Sequence, residues 1–414
     1  MQTITISKSR TRTFNANDAD TLYILDKDAS IVTMDPIGIS ALTPVNNRDI
    51  LIRGEIQADS GYGVALAGKS NDITVAKSGS VLGDIGITSP GDNLSIINGG
   101  LISGRFGLQL TGDNNHVFNT GTINGQALGI DAGYHTTTIV NDGLISSSKT
   151  GISSLMFAGE TLRIVNDGSI NAAEYGIACG NLTGAKTVVV NHGDLSGGFW
   201  AITGGFNQSS EVVINRGTIT GSIGLGAGND RYDGRGGHAT YVQGDAGDDT
   251  YICDDPLIVL NESAVAGTDL VRSSVTWTLG ANFENLRLAG ADSIVGKGNS
   301  SMNRLTGNAG QNSLYGYDNS DMLNGGRGDD FLFGGAGSDI FIFANASGQD
   351  VIEDFQNGID TIDLTARRGI DGFDDIQSIM VQNASNVELH FADGDVLVVR
   401  NITIANLGID DFAF

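Results

Sequence analysis

The chain has 414 residues, of which 60 are glycine and only 4 are proline. Glycine is about twice its usual share of roughly 7%, and aromatic residues are sparse, which favours a narrow β-solenoid over a thick globular core. The formal net charge of −25 argues against nucleic acid and anionic membrane surfaces as partners, because their phosphates would repel the chain.

Residues 1–45 show little repetition, and we predict that they cap the open end of the repeat that follows, whose edge would otherwise be exposed. The opening letters, MQTITISK, lack the apolar segment of a cleavable signal peptide. No apolar run approaches the roughly 18 residues of a membrane-spanning helix, so no membrane span is predicted.

Residues 46–222 repeat the phrase Asn-x-Gly-x-Ile/Leu. Its asparagines step by 21, 22, 25, 25 and 24 residues along the chain, at Asn98, Asn119, Asn141, Asn166, Asn191 and Asn215. Short alternating strands joined by Gly/Asn turns at this period predict a parallel β-helix. Asparagine tolerates tight turns and its amide can bond to the coils above and below, so we predict an internal asparagine ladder. The repeat resembles the pectin-lyase-like superfamily, which implies right-handed coils.

Residues 223–345 carry the nonapeptide G-G-x-G-x-D-x-U-x, in which U is large and apolar. Two full copies, GGRGDDFLF and GGAGSDIFI, occupy residues 325–333 and 334–342, and weaker copies precede them. The sixth position recurs every nine residues, at Asn312, Asp321, Asp330 and Asp339. An earlier cluster places Asp230, Asp249 and Asp269 at nearly one-turn spacing. This pattern predicts a parallel β-roll built around bound Ca²⁺.

The spacing also predicts how the loops would hold the ion. Two nonapeptides make one turn, so each loop stacks on the loop two copies later, which pairs Asp321 with Asp339 and Asn312 with Asp330. Ca²⁺ takes six to eight oxygen ligands, and each pair of loops offers its sixth-position side chains together with backbone carbonyls. The carbonyls that we assign to this role belong to Gly325, Arg327, Gly334 and Ala336. The Asn312–Asp330 pair is one charge short and should bind more weakly.

The nonapeptides resemble the RTX (repeats-in-toxin) family of calcium-binding proteins, which leave the cell by type I secretion. The resemblance implies an extracellular or cell-surface location and folding on Ca²⁺ after export. It extends over residues 346–414, where Asp350 and Asp360 would complete a last calcium site. The acidic, apolar tail LGIDDFAF resembles the uncleaved C-terminal signal of that route. The predicted architecture is therefore all-β: a right-handed parallel β-helix continuing into a Ca²⁺-bound β-roll with a C-terminal β cap.

Two classes of function stay open at this stage. The absence of a recognisable catalytic cluster favours a structural or interaction protein, such as an adhesin, a matrix component, or a subunit of a surface layer or filament. Its partners would be calcium, and either further copies of itself or a cell-surface polysaccharide. The alternative is a polysaccharide lyase or epimerase with its active site on the β-helix. We assign no catalytic residue, because the histidines are scattered and the zinc-protease and lipase motifs are missing.

Overall fold

The computed structural model describes residues 2–205, 207–264 and 267–414, and nearly all of its regular structure is β-strand. The chain divides into a first unit that ends at Asp245 and a second unit that begins at Ala246. The boundary that the sequence predicted, at 222/223, lies inside the first unit. The prediction of an all-β chain of stacked parallel coils is confirmed.

The first unit contains two long parallel sheets. One sheet contains Gln2–Ile6, Thr21–Leu25, Asp49–Ile52, Asp72–Val75, Ser95–Asn98, Asn115–Asn119, Thr137–Asn141, Thr161–Asn166, Lys186–Asn191, Ser210–Asn215 and Arg231–Asp233. The other contains Phe14–Asn15, Ser30–Thr33, Ile37–Ala41, Glu55–Ala58, Tyr62–Leu66, Ser80–Leu82, Ile85–Ser89, Leu101–Leu110, Thr122–Asp131, Leu144–Ser147, Thr150–Ser154, Ser169–Ala172, Tyr175–Cys179, Asp194–Thr203, Thr218–Ala227 and Tyr241–Ala246.

Coiling begins at the start of the described chain. Gln2–Ile6 pairs in parallel with Thr21–Leu25, and that strand pairs in turn with Asp49–Ile52. Residues within the predicted cap therefore already form stacked strands. Their buried side chains, including Ile6, Leu25 and Ile31, alternate with polar residues in the strand pattern that buries one face.

The predicted asparagine ladder is confirmed. Each ladder asparagine is fully buried, and its Nδ2 donates to Oδ1 of the next, at 2.7 Å from Asn98 through Asn191 and 3.0 Å from Asn191 to Asn215. Because every buried amide finds a partner in the adjacent coil, the ladder satisfies polar groups inside an otherwise apolar column of isoleucines.

Glycine recurs where neighbouring coils approach most closely. A Cβ added to Gly107 would lie 2.5 Å from the carbonyl oxygen of Gly129 and 2.7 Å from Cγ2 of Ile123. Gly107 and Gly129 therefore lie where the backbone of one coil contacts the backbone of the next. The sequence predicted only short strands here, whereas Leu101–Leu110 and Thr122–Asp131 run for 10 residues across the bend.

The second unit also has two parallel sheets. One holds Thr250–Cys253, Leu270–Ser273, Asn285–Leu288, Arg304–Thr306, Met322–Asn324, Ile340–Ile342, Thr361–Asp363 and Phe412–Ala413. The other holds Trp277–Thr278, Val295–Lys297, Ser313–Asp318, Phe331–Ala336, Gln349–Ile352 and Val396–Val399, followed by Asn386–His390 and Met380–Asn383 in antiparallel pairing. Val259–Asn261 forms a further short strand.

The nonapeptide register follows the predicted two-copies-per-turn rule. Ser313 lies opposite Phe331 in one sheet, and Met322 lies opposite Ile340 in the other. The eighth-position side chains Leu314, Leu323 and Leu332 are buried, as the motif requires. The motif predicts a six-residue turn, G-G-x-G-x-D, followed by a three-residue strand. The structure differs in one detail, since the strand Phe331–Ala336 runs through the first three residues of the following copy.

The C-terminal part closes the second unit. It contains the helix Phe373–Ile379 and two 3₁₀ turns, Ile404–Asn406 and Ile409–Asp411. Arg367 is buried there, where it pairs with Asp393 and Asp395 and lies over the rings of Phe343 and Phe391. Among the described helices, none has both the length and the apolar content needed to cross a bilayer.

Candidate calcium sites

Sixth-position aspartates form a column along one side of the second unit. Oδ1 of Asp321 accepts the backbone N–H of Asn303 at 2.7 Å. Oδ1 of Asp339 accepts the N–H of Asp321 at 2.9 Å, and Oδ1 of Asp360 accepts the N–H of Asp339 at 3.0 Å. The structure thus brings Asp321 and Asp339 together, with one oxygen of each carboxylate fixed by the loop beneath it.

A second column stands on the other side. Oδ1 of Asp330 accepts the N–H of Asn312 at 2.7 Å, and Oδ1 of Asp350 accepts the N–H of Asp330 at 3.0 Å. Asn312 differs from the aspartates, because its own Oδ1 accepts the N–H of Asn308 at 2.7 Å and its Nδ2 donates to the carbonyl of Ile294. The Asn312–Asp330 level therefore has one carboxylate and one amide that is already engaged.

The second oxygen of these carboxylates is the decisive feature. Oδ2 is buried and accepts no hydrogen bond from the described residues in four members of the two columns: Asp321, Asp330, Asp339 and Asp350. A buried carboxylate oxygen without a partner is costly, and a hard cation is the group that would satisfy it. Asp360 differs, because its Oδ2 accepts the N–H of Gln356 at 2.8 Å.

Glycine makes room for these oxygens. A Cβ added to Gly316, Gly325 or Gly334 would lie 2.3 Å from Oδ2 of the aspartate five residues later in the chain. The first glycine of each copy is therefore required by the carboxylate as well as by the turn. A side chain at any of these glycines would occupy the space beside Oδ2 of Asp321, Asp330 or Asp339.

The carbonyls assigned from the sequence lie in two kinds of backbone. Gly325 and Arg327 lie in the turn that follows Met322–Asn324, whereas Gly334 and Ala336 lie within the strand Phe331–Ala336. The N–H groups of Gly334 and Gly335 donate to Asp354 at 2.9 and 3.0 Å. The role of these four carbonyls as ligands stays a prediction, and Asp354 is a partner of the loop that the motif did not indicate.

Burial raises the pKa of every aspartate in the two columns. The pKa reaches about 7 for Asp321, about 6 for Asp330 and Asp360, and about 8 for Asp350, with burial as the largest cause in each. Without a cation, Asp350 therefore favours its proton at neutral pH and Asp321 is about half protonated, so an ion would have to displace protons from these two side chains.

The earlier aspartates divide between the two units. Asp230, in the first unit, accepts the N–H of Glu211 at 2.7 Å, and burial together with the charge of Glu211 raises its pKa to about 8. Asp249 and Asp269, in the second unit, lie with Glu262 in a group whose carboxylate oxygens are within 4.8 Å of one another. The sequence did not indicate Glu211 or Glu262, because neither belongs to a nonapeptide.

Comparison with known proteins identifies the repeats. The family description "RTX calcium-binding nonapeptide repeat (4 copies)" matches residues 297–332 and 315–345. Residues 297–345 are RTX repeats. The predicted family resemblance is thereby confirmed for the part of the chain that carries Asp321, Asp330 and Asp339, while the pectin-lyase-like resemblance of residues 46–222 remains a prediction.

Two curated relatives have names that state an enzymatic activity. Endo-1,3-1,4-beta-glycanase EglC of Rhizobium meliloti (strain 1021) is 40% identical over 170 residues, which are 41% of this chain and 34% of the relative. Endo-1,3-1,4-beta-glycanase ExsH of the same organism is 40% identical over 186 residues, 45% of this chain and 37% of the relative. The chain therefore spans about a third of the length of each relative.

Proposed function

We propose that this chain is a secreted calcium-binding structural or interaction protein, whose RTX unit is stabilised by Ca²⁺ outside the cell. The observation that carries the proposal is the pair of carboxylate columns, where Asp321, Asp330, Asp339 and Asp350 each have one oxygen held by a backbone amide and the other buried without a partner among the described residues. The family description of the RTX repeats, which names calcium, supports the choice of ion.

The charge of the sites explains why calcium would act as a folding signal. Stacked aspartates repel one another and lose hydration on burial, so the second unit is disfavoured where free Ca²⁺ is scarce. At a hundredfold excess over its Kd, each bound ion adds about 2.7 kcal/mol of stability. Several such ions would convert a weakly folded chain into a rigid one after export.

Calcium binding by these columns can be tested with a double variant. The full chain is stripped of metal, and bound Ca²⁺ is counted by equilibrium dialysis for the wild type, for D321N/D339N, and for D292N as an exposed control in the same unit. The double variant should bind fewer ions and unfold at a lower temperature in Ca²⁺, whereas D292N should match the wild type. Equal binding by all three proteins would refute the assignment of these ligands.

Assembly is a separate part of the proposal. Light scattering of the wild type across about 0–10 mM Ca²⁺, which includes the millimolar extracellular range, should show particle growth if the chain forms a layer or filament. A constant monomeric mass would leave a calcium-binding protein that interacts with other partners and would remove self-assembly from the proposal.

A polysaccharide-active enzyme is the second candidate. The two relatives, both named as endo-1,3-1,4-beta-glycanases, favour it. So does a polar column on the outer face of the first unit, where successive strands align Asp49, Asp72, Ser95, His116, Thr138 and Arg163. Carboxylate, imidazole and guanidinium groups along one face offer an acid or base and a partner for an anionic sugar.

Product analysis separates the two candidates. The calcium-loaded chain is incubated with mixed-linkage 1,3-1,4-β-glucan and assayed for new reducing ends, and with alginate or pectin and assayed for unsaturated uronates. Product in either assay that is lost in H116A would establish the enzyme. Absence of product from all three polysaccharides would leave the structural proposal.

A further inference from the structure

Three buried carboxylates meet in the second unit, outside the residues matched by the RTX description. The side chains of Asp249, Glu262 and Asp269 are 1%, 3% and 0% exposed. One carboxylate oxygen from each lies within 4.8 Å of the others. Such a group carries a formal charge of −3 if every member is ionised, which a protein interior does not tolerate without compensation.

Hydrogen bonds hold the three side chains in this arrangement. The N–H of Asp249 donates to Oδ1 of Asp269 at 2.8 Å, and the N–H of Asp269 donates to Glu284 at 2.8 Å. The hydroxyl of Tyr251 donates to Oε1 of Glu262. Asn282 donates to the carbonyl of Glu262 at 2.9 Å. Hydrogen bonds to the side chains and to the backbone of these residues therefore both fix the position of the group.

Two oxygens of the group are left for a ligand. Oε2 of Glu262 and Oδ2 of Asp269 are buried and accept no hydrogen bond from the described residues. The same division, with one oxygen held by the protein and the other unsatisfied, is found in four aspartates of the RTX columns: Asp321, Asp330, Asp339 and Asp350. Here, however, the third carboxylate comes from a segment that contains no nonapeptide.

We propose that Asp249, Glu262 and Asp269 together hold one Ca²⁺ ion. An all-oxygen donor set favours Ca²⁺ over transition metals, and three carboxylates provide more negative charge than the two-aspartate levels of the RTX columns. This site is therefore the first to fill as Ca²⁺ rises. The ion also links residues 254–264 to the rest of the second unit. Within that segment the side chains of Leu257 and Val259 are 80% and 54% exposed.

The inference deepens the proposed calcium function but uses a different set of ligands. None of its three carboxylates belongs to the levels formed by residues 312–360. The three-carboxylate site could therefore bind Ca²⁺ even if the RTX columns bind none, and the columns could bind Ca²⁺ even if this site does not.

Terbium is a suitable probe, because Tb³⁺ accepts the same oxygen ligands and emits when a nearby tyrosine is excited. Tyr251 contacts Glu262 directly. The metal-free full chain is titrated with Tb³⁺ under tyrosine excitation, and Ca²⁺ is then used to displace it. The proteins compared are the wild type, E262Q, Y251F, D321N, and E55Q as an exposed control in the first unit.

The wild type, E55Q and D321N should give tyrosine-excited emission at the first equivalent of ion. E262Q should weaken that first binding step by at least about tenfold, the loss that even an outer-shell partner of a ligand produces. Y251F, which keeps all three carboxylates, should still bind the ion by dialysis but lose the emission. This variant decides the question if E262Q does not fold.

Unchanged first-equivalent emission in both E262Q and Y251F would overturn the inference. Loss of RTX-column binding in D321N, with first-equivalent emission retained, would leave the three-carboxylate site standing. If first-equivalent emission is instead lost in D321N and kept in E262Q, the tightest ion belongs to the RTX columns and the inference fails.

Discussion

At the scale of single residues, the chain satisfies buried polar groups in two opposite ways. In the first unit, each ladder asparagine both donates and accepts, so the column is complete without any ligand. In the second unit, four of the five column aspartates accept one backbone N–H and leave the other oxygen unsatisfied, and Asp360 is the exception. The amide column supports folding by itself, whereas the carboxylate columns require a proton or a cation.

Removal of one ladder amide should destabilise the first unit. N141A leaves Oδ1 of Asn166 without its ladder donor and removes the ladder hydrogen bond of Asn119, whose Nδ2 still donates to the carbonyl of Leu144 at 3.2 Å. Each unsatisfied buried group costs about 1–3 kcal/mol, so we expect a loss of about 2–4 kcal/mol in denaturant unfolding. The matched control is N124A, an exposed asparagine of the preceding coil, which should change stability by no more than about 0.5 kcal/mol. Similar losses for both variants would contradict the ladder's role.

Stability of the calcium-free second unit should fall as pH rises. The pKa of Asp321 is about 7 and that of Asp350 about 8 in the folded chain, against an ordinary value of 3.8. Between about pH 4 and pH 8 the folded state therefore binds protons that the unfolded chain has released, so folding is favoured at the acidic end. Chemical unfolding in chelator at several pH values measures this slope.

Calcium should reverse that slope, because the ion competes with the protons for the same carboxylates. The variant D321N/D350N carries amides that resemble the protonated acids, and its calcium-free stability should vary less with pH than that of the wild type. A calcium-free stability that rises with pH would show that the column carboxylates are ionised without the ion.

Many of these single-residue contacts could be predicted from the sequence. The ladder followed from asparagines at a regular period, and the aspartates that the structure brings together followed from nine-residue spacing. Glu262 could not be predicted, because its position depends on the path of a non-repeating segment. Asp354 was missed for the same reason, since its contact with the N–H groups of Gly334 and Gly335 joins loops that the motif does not relate.

At the scale of elements, each nonapeptide contains a turn and a strand, and the strand extends into the first residues of the next copy. The strand Phe331–Ala336 continues into the next copy, so the division into six turn residues and three strand residues was only partly right. The spacing fixed which residues face inward, as buried Leu314 and Leu332 show. It did not fix where each strand ends, because that depends on pairing with the neighbouring coil.

The first glycine of a copy should be needed for the ion. In G325A the added Cβ would lie 2.3 Å from Oδ2 of Asp330, so the carboxylate has to move away from its position. We expect Ca²⁺ affinity to fall by about tenfold or more, measured by calorimetric titration. G372A is the control, because Gly372 has an extended backbone with φ 178 and no atom within 4 Å of the added Cβ. Equal affinities for the two variants would contradict this reading of the glycine.

The C-terminal elements were the least predictable. The sequence indicated a closing element and a secretion signal after residue 346, whereas the structure contains a helix, Phe373–Ile379, and an antiparallel hairpin. These elements have no repeat to reveal them. Their anchor is buried Arg367, which binds Asp393 and Asp395, and such a contact is visible only once the chain is folded.

At the scale of the whole molecule, the two units should differ in what keeps them folded. The first unit depends on apolar coils and the asparagine ladder, neither of which involves a metal. The second unit contains the RTX columns and the group formed by Asp249, Glu262 and Asp269. Calcium is therefore expected to stabilise the second unit and to leave the asparagine-ladder coils of the first unit nearly unchanged.

Hydrogen–deuterium exchange of the full chain tests this difference between the two units. It is measured by mass spectrometry in millimolar Ca²⁺ and again in excess chelator. We predict that strand amides within residues 304–342 lose most of their protection when calcium is removed, while those within residues 95–219 keep theirs. Equal protection of residues 304–342 in the two conditions, or a parallel loss in both regions, would contradict it.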